Sequence, residues 1–409
     1  MKLMNQTKER ILFLYLKAGG GHVSAARALA AEFNTRYSHE EVETHLLDCI
    51  PQKAKLWRKF IEGGYRFFTT NAPLLWELFY RMSTIPLIMR NNSPTMLLIT
   101  SAQIRRYIRK HRITRIVNLH PFMHISLFRA LKQLNRLDMP AVTIVSDPFT
   151  CHPFWFFRQF TPLIVFSERI MKHARKYLSW IPISSALPPE KREVRIFPPL
   201  INSQYNERLD NSACSALKQG YGFDPEKPLM LIIGGGEGLP GGERCLRAIL
   251  AADEPELQIA FICGRNSSQY HQVRKIAKHH PRTTIQVYGF VNFVYELMSA
   301  ANFILAKAGP ATIFEALMLH KPLILTSHIY GQEDGNVDFV VNGNYGWHIP
   351  RPRKITMKIR EIMRHPEIID HIVSNIKNGN VSNGTSLIAD YIIALPPSSS
   401  SLSSGSDAG

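Results

Sequence analysis

Two residues able to move a proton close apolar runs in the first half of the chain. His22 follows Gly19, Gly20 and Gly21 in "ILFLYLKAGGGHVSAARALA", and Asp147 ends "AVTIVSD", with His152 and Trp155 just beyond it. A carboxylate at the carboxyl end of a strand, beside an aromatic wall, has the setting of a general base. Glycines let backbone amides approach a ligand, and the start of the next helix favours negative charge. The triple glycine lacks the Lys-Ser/Thr of a Walker loop, and Ser24 stands where the last glycine of a dinucleotide fingerprint belongs. A simple strand-to-helix turn with a structural histidine accounts for the same residues. Asp48, after the next strand, is placed to serve a ribose, so a nicotinamide-dependent oxidoreductase stays open.

The second half repeats the arrangement. "LIIGGGEGLPGG" sets Gly234, Gly235, Gly236 and Gly238 around Glu237. In "FILAKAGPATIFEAL" a buried strand ends at Lys307, Gly309 and Pro310 turn the chain, and Thr312 opens a helix whose free amides can hold a diphosphate. Glu315 comes three residues later. It suits either a capping-box carboxylate or an acceptor for ribose hydroxyls. Gln332, Glu333 and Asn336 in "SHIYGQEDGN" gather polar groups at the end of the next strand, where a solvated loop would look the same. In "NLHPFMH" two histidines are four apart, but Pro121 disrupts the helix that would align them as metal ligands, and no D-x-D pair is present. No metal and no bound cofactor are expected.

The elements that must position these residues alternate apolar runs with helical periodicity, the signature of parallel β-α-β units. The expected fold class is α/β: two doubly wound, Rossmann-like domains facing across a cleft, with ligands beyond the carboxyl ends of their strands. The expected boundaries are residues 1–200, residues 201–395 and a disordered Gly/Ser-rich tail, 396–409.

The 409 residues carry a net charge of +17, which implies an acidic partner. Residues 51–115 hold thirteen Lys/Arg against Glu62 and Glu77, which places most of the excess there. In the same region Trp57, Phe60, Tyr65, Phe67, Phe68, Trp76, Phe79 and Tyr80 are interleaved with the bases. Rings at headgroup level and cations against anionic lipid suit a membrane surface docked through residues 54–90, although a helical pair burying half these rings in its own core has the same composition. No nucleic-acid-reading module is recognisable, so nucleic acid is not expected as a partner. Five cysteines without C-x-x-C spacing favour a reducing compartment, and the N-terminus reads as a first strand.

Taken together, "GGGHVSAARAL", "SDPFTCHPFW", "LIIGGGEGLPGG", "FICGRN", "VYGFV", "AKAGPATIFEAL" and "GQEDGNVDFVV" resemble the monogalactosyldiacylglycerol synthase and processive diacylglycerol glucosyltransferase group of glycosyltransferase family 28. The resemblance implies a GT-B fold with an N-terminal acceptor domain, a C-terminal UDP-sugar domain and metal-free inverting transfer of a hexose to a lipid such as diacylglycerol. It puts Phe290 and Val291 against the uracil and Glu315 on the ribose. Gly309, Ala311 and Thr312, helped by Gly235 and Gly236, would hold the diphosphate, and Gln332, Glu333 and Asn336 the sugar hydroxyls. His22 and Asp147 match positions implicated in activating the acceptor. The chain departs from its relatives at "SDPF", where a threonine and a different residue after the aspartate are common, and at Ala311, where a glycine is common. The absence of a chloroplast-type leader favours a bacterial-style enzyme, peripheral on the cytoplasmic face of a membrane. Transfer to another lipid or a lipid-linked intermediate, and a non-catalytic membrane-binding protein, are the remaining alternatives.

Overall fold

The computed structural model describes residues 8–17, 21–51, 54, 58, 63–84, 94–156, 159–178 and 193–397. Two units emerge. The first comprises Met1–Asn202, Tyr330–Gln332 and Asn383–Gly409, and the second Ser203–Ile329 and Glu333–Ser382.

The first unit is built on six parallel strands: β1 (Glu9–Tyr15), β2 (Val42–Asp48), β3 (Arg115–Asn118), β4 (Ala141–Ile144), β5 (Leu163–Val165) and β6 (Val194–Ile196). Their order is β2-β1-β3-β4-β5-β6, with Ile11 of β1 opposite Arg115 of β3. Ile11, Leu12, Phe13 and Leu14 are all fully buried because helices cover both faces of a parallel sheet, which is why the run is continuously apolar. The helix Gly21–Arg36 packs one face through Ala26, Leu29, Ala30 and Phe33. The order in which strands are added to the sheet reverses between β1 and β3, and ligands of open α/β sheets bind beyond the strand ends at such a switch point. His22 follows β1, and His120 follows β3.

The second unit repeats the design with β7 (Leu229–Ile233), β8 (Gln258–Ile262), β9 (Ile285–Tyr288), β10 (Phe303–Lys307), β11 (Leu323–Ser327) and β12 (Gly346–His348), ordered β12-β11-β10-β7-β8-β9. Here the switch point lies between β7 and β10, so the glycines after Ile233 and the turn after Lys307 come to the same place. Register slips where β10 meets β11, with Ala306 opposite Leu325 and Lys307 opposite Ser327. Thr326 is the extra residue, and such an irregularity re-aims the side chain beside it.

The expected assignment of residues up to 395 to the second domain is corrected. The helix Thr385–Ala394 belongs to the first unit. Ile388, Ala389 and Ile392 join Ile11, Phe13, Leu29 and Phe33 in one core. Polar contacts fix the helix as well: Arg36 bonds Asp390 at 2.5 Å, and the buried Arg115 donates to the carbonyls of Ile392 (3.0 Å) and Leu395 (2.6 Å). From residue 398 the tail lies outside the described residues, as do Gly19, Gly20 and part of the 54–90 stretch, including Trp57, Phe60 and residues 85–90.

Candidate active site

At the first unit's switch point, His22 is the second residue of its helix and its Nδ1 lies 2.7 Å from Ser146 Oγ. Its ring packs edge-on with His120 (centroids 4.7 Å apart) and lies tilted against Trp155 (6.0 Å). Burial drives the His22 pKa down to about 4, opposed by the Leu119 carbonyl, so the ring is neutral at pH 7. Burial, with His22 and His124 beside it, holds His120 well below its ordinary value too.

Asp147 follows Ser146 beyond the end of β4, and its Oδ2 accepts a hydrogen bond from Trp155 Nε1 at 2.7 Å. The fully buried indole sits in a short 3-10 turn, Pro153–Trp155, capped by His152, whose Nδ1 accepts from the Phe154 amide (3.1 Å). The His152 proton therefore sits on Nε2, which donates to Ser83 Oγ at 3.0 Å while that hydroxyl donates to the Tyr80 carbonyl (2.7 Å).

In the second unit the glycine loop after β7 closes on itself. Gly235 has φ +80°, which favours glycine, and a Cβ on Gly236 would come within 2.7 Å of the Arg265 guanidinium. The Arg265 amide donates to the Gly236 carbonyl (2.8 Å), its Nε donates to Glu237 (3.2 Å), and its guanidinium lies over the Phe290 ring at 5.1 Å. Phe290 is 61% exposed, a flat ring face open for stacking, and Val291 follows it.

The turn after β10 is more closely built. Gly309 is the N-cap of the helix Pro310–Met318, and no side chain caps it. The Ala311 and Thr312 amides are therefore first-turn donors without an intrahelical acceptor. Lys307 Nζ donates to Glu333 Oε1 at 2.6 Å and would lie 3.0 Å from a Cβ on Gly309, which puts an ammonium at the mouth of this helix. The other Glu333 oxygen accepts the Ile329 amide (2.8 Å). Asn336 is buried, donates to the Ala308 carbonyl (2.9 Å), and leaves its Oδ1 with no partner among the described residues.

Glu315 does not form the capping box. Its carboxyl hydrogen-bonds Tyr205, a buried ring on the 3-10 turn Ser203–Asn206 that packs edge-on against Tyr295 (5.4 Å). Burial raises the Glu315 pKa to about 7, and the Tyr205 hydroxyl pulls the other way.

Residues 22–177 match the family model described as monogalactosyldiacylglycerol (MGDG) synthase, and residues 230–370 match that of the glycosyltransferase family 28 C-terminal domain. The chain belongs to glycosyltransferase family 28. It is 29% identical over 363 residues to the chloroplastic MGDG synthase of Spinacia oleracea, an alignment covering 87% of this chain and 66% of that protein. The chain thus spans just under two thirds of the length of the curated relatives it matches first. MurG of Acinetobacter baumannii superposes with a TM-score of 0.60 at 13% identity, covering 94% of this chain and 99% of that one. Anabaena Alr3699/HepE, solved with UDP and glucose, gives 0.56 at 14%, covering 94% and 99%. The family 28 fold of this chain is accordingly GT-B, with two doubly wound Rossmann-like units.

Within this family 28 chain, the structure gathers Gly309, Ala311, Thr312, Glu333 and Asn336 around one helix start, with Glu315 one turn further along it. Gly235 and Gly236 come to the same switch point, whereas Gln332 groups with the first unit. Sequence reasoning missed Ser146, Lys307, Arg265 and Tyr205. Ser146 and Lys307 each sit one or two residues from a glycine or acid already singled out, a signal that was there to use. Tyr205 lies 110 residues from Glu315, and nothing in the chain announces that pairing.

Proposed function

We propose that the chain transfers a hexose from a UDP-sugar to the free hydroxyl of diacylglycerol, inverting the anomeric carbon to give a β-glycosyl-diacylglycerol. The observation that carries this is Glu315. It is a desolvated carboxyl held by Tyr205 on a helix whose uncapped start offers the Ala311 and Thr312 amides beside Lys307. Carboxylate, amides and ammonium suit a ribose attached to a diphosphate. The exposed Phe290 ring, with Arg265 over one face, suits the uracil on the other. Glu333 serves this site by holding Lys307, and Asn336 Oδ1 is left as an acceptor for a sugar hydroxyl. The first unit supplies the acceptor chemistry, since the MGDG-synthase match covers both His22 and Asp147.

In the reaction the lipid oxygen bonds to the anomeric carbon as the bond to the UDP oxygen breaks, and the hydroxyl proton passes to Asp147 or His22. Helix amides and Lys307 stabilise the charge gathering on the departing diphosphate. The lipid is reached from its membrane. On the helix Pro73–Ser83, Leu74 is 80%, Leu78 55% and Phe79 63% exposed, with Leu75 and Met82 also open, an apolar face suited to an interface. Among the described residues no helix is long and apolar enough to cross a membrane, which suits peripheral binding, here proposed for the cytoplasmic face.

The test is a screen of radiolabelled UDP-galactose, UDP-glucose and UDP-N-acetylglucosamine against vesicles containing diacylglycerol. A labelled β-glycosyl-diacylglycerol from one donor is expected. Absence of lipid-borne label with all three, from protein that binds UDP, overturns the acceptor assignment.

A further inference from the structure

We propose that His152 is a positioning residue that ties the lipid-facing helix Pro73–Ser83 to the turn holding Asp147, so that seating the helix on a bilayer steadies the base. The inference rests on two parts of the proposed function, Asp147 taking the acceptor proton and this helix meeting the membrane. It starts from the run His-Pro-Phe-Trp at residues 152–155. A residue before proline is driven to extended backbone, and His152 has φ −70° and ψ 138°. Pro153 has no N–H to offer, so the Phe154 amide is the turn's first donor, and His152 Nδ1 accepts it at 3.1 Å. The Trp155 amide donates to the His152 carbonyl (3.1 Å). His152 thus holds, by side chain and by backbone, the turn whose buried indole bonds Asp147 Oδ2.

A backbone amide can only donate, so Nδ1 bears no hydrogen and Nε2 bears the one proton of the neutral ring. Burial, with His173 beside it, lowers the His152 pKa to about 4, so the ring keeps that form at pH 7. Nε2 donates its hydrogen to Ser83 Oγ (3.0 Å), whose own hydrogen goes to the Tyr80 carbonyl (2.7 Å). Tyr80 adds a second contact, its ring meeting that of His152 at 88° with centroids 5.0 Å apart. Tyr80 and Ser83 are three apart on one side of the helix, while Leu74, Leu75, Leu78, Phe79 and Met82 are exposed. One face of the helix is therefore bare, and the other is joined to the ring that caps the base's turn. The bare face finds its apolar partner in a bilayer, and the order the helix gains there passes to Asp147 through His152.

The experiment uses the full chain with UDP-sugar and two acceptors, diacylglycerol in phosphatidylcholine/phosphatidylglycerol vesicles and dihexanoylglycerol dissolved as monomer. The parent should have the higher kcat on vesicles. His152→Asn keeps an acceptor for the Phe154 amide but is too short to reach Ser83, whereas His152→Gln keeps a donor near Nε2 and gives up the cap. Ser83→Ala and His152→Asn should each lower the vesicle kcat roughly three- to tenfold, the worth of one hydrogen bond. The monomer kcat should fall by less, with donor KM and vesicle sedimentation within about twofold of the parent. His152→Gln should keep more of the vesicle advantage than His152→Asn while melting at a lower temperature. The Ser83→Ala/His152→Asn pair should be no slower than its slower member, since both cut one link. A parent without a vesicle advantage, equal losses on both acceptors, or losses that multiply in the pair overturn the role of His152. Full kcat in Asp147→Asn overturns instead the reading of the base beneath it, and parental sedimentation of Leu78→Ser/Phe79→Ser the reading of the helix.

Discussion

Trp155 Nε1 points its hydrogen at Asp147 Oδ2 across 2.7 Å, from an indole with no exposed surface. A rigid buried donor fixes one carboxylate oxygen and with it the plane of the group. Trp155→Phe removes this bond while keeping most of the ring volume. We expect a stability loss of about 1–3 kcal/mol and a fall in kcat larger than any change in donor KM. Denaturant unfolding and steady-state kinetics together check this, and an unchanged kcat would show that the indole does not hold the base.

Glu315 makes donor binding depend on pH. Its pKa is raised from 4.5 to about 7 in the fold, so the folded apo chain prefers the protonated acid. Apo stability from this group therefore falls as pH rises from 4.5 toward 7 and levels off above it. Ribose binding has the opposite slope, because accepting two hydroxyls requires the carboxylate. UDP should bind about tenfold tighter at pH 8 than at pH 6, the ratio of ionised fractions for such a pKa. Calorimetric titration across that range tests it, and Glu315→Gln should bind more weakly and lose the slope.

Tyr205→Phe removes the hydroxyl that favours the Glu315 carboxylate. The pH at which UDP affinity rises should then move upward, with binding at high pH little altered. An unmoved midpoint, measured by the same titration, would sever Tyr205 from donor binding.

Arg115 ties the last helix to β3 and also meets Glu9 at 3.1 Å. Replacing it with alanine leaves that acid with the Thr114 hydroxyl but without its cation, and strips two carbonyls of their donor. A loss of about 3 kcal/mol is expected, read as a lower unfolding midpoint. If Arg115→Ala unfolds at the parental midpoint, the helix is held by its apolar face alone.

Leu78→Ser/Phe79→Ser should abolish sedimentation with anionic vesicles while leaving the melting temperature within a few degrees, since both side chains are exposed. Unchanged sedimentation would place the membrane contact elsewhere.

Much of this architecture is legible in the sequence because parallel strands buried on both faces read as unbroken apolar runs, as "ILFL" and "LMLII" do. Glu315 was legible for a related reason, since a glycine turn, a helix start and an acid on its second turn are all local. What local pattern cannot supply is the partner. The segment near 198–212 reads as a linker, yet it places Tyr205 against Glu315. The expected second domain runs to residue 395 and so takes in "TSLIADYIIA", yet the apolar face of that run fits Leu29 and Phe33. Glu333 reads as one of three polar groups for sugar hydroxyls or a solvated loop, and the fold commits it to Lys307 and the Ile329 amide. In each instance the deciding contact is one that only the folded chain brings into range.

The return of the helix Thr385–Ala394 to the first unit also dictates an order of events on the ribosome. Between Asn202 and Asn383 lie 180 positions, and all but Tyr330–Gln332 of them go to the second unit. At roughly 5–20 residues per second, the first unit waits about 10–40 s for Ile388 and Ile392 after the rest of its sheet has been made. During that interval the face formed by Ile11, Leu29 and Phe33 lacks its cover. The second unit can finish folding first, so the half of the protein that is synthesised earlier is the half that matures last.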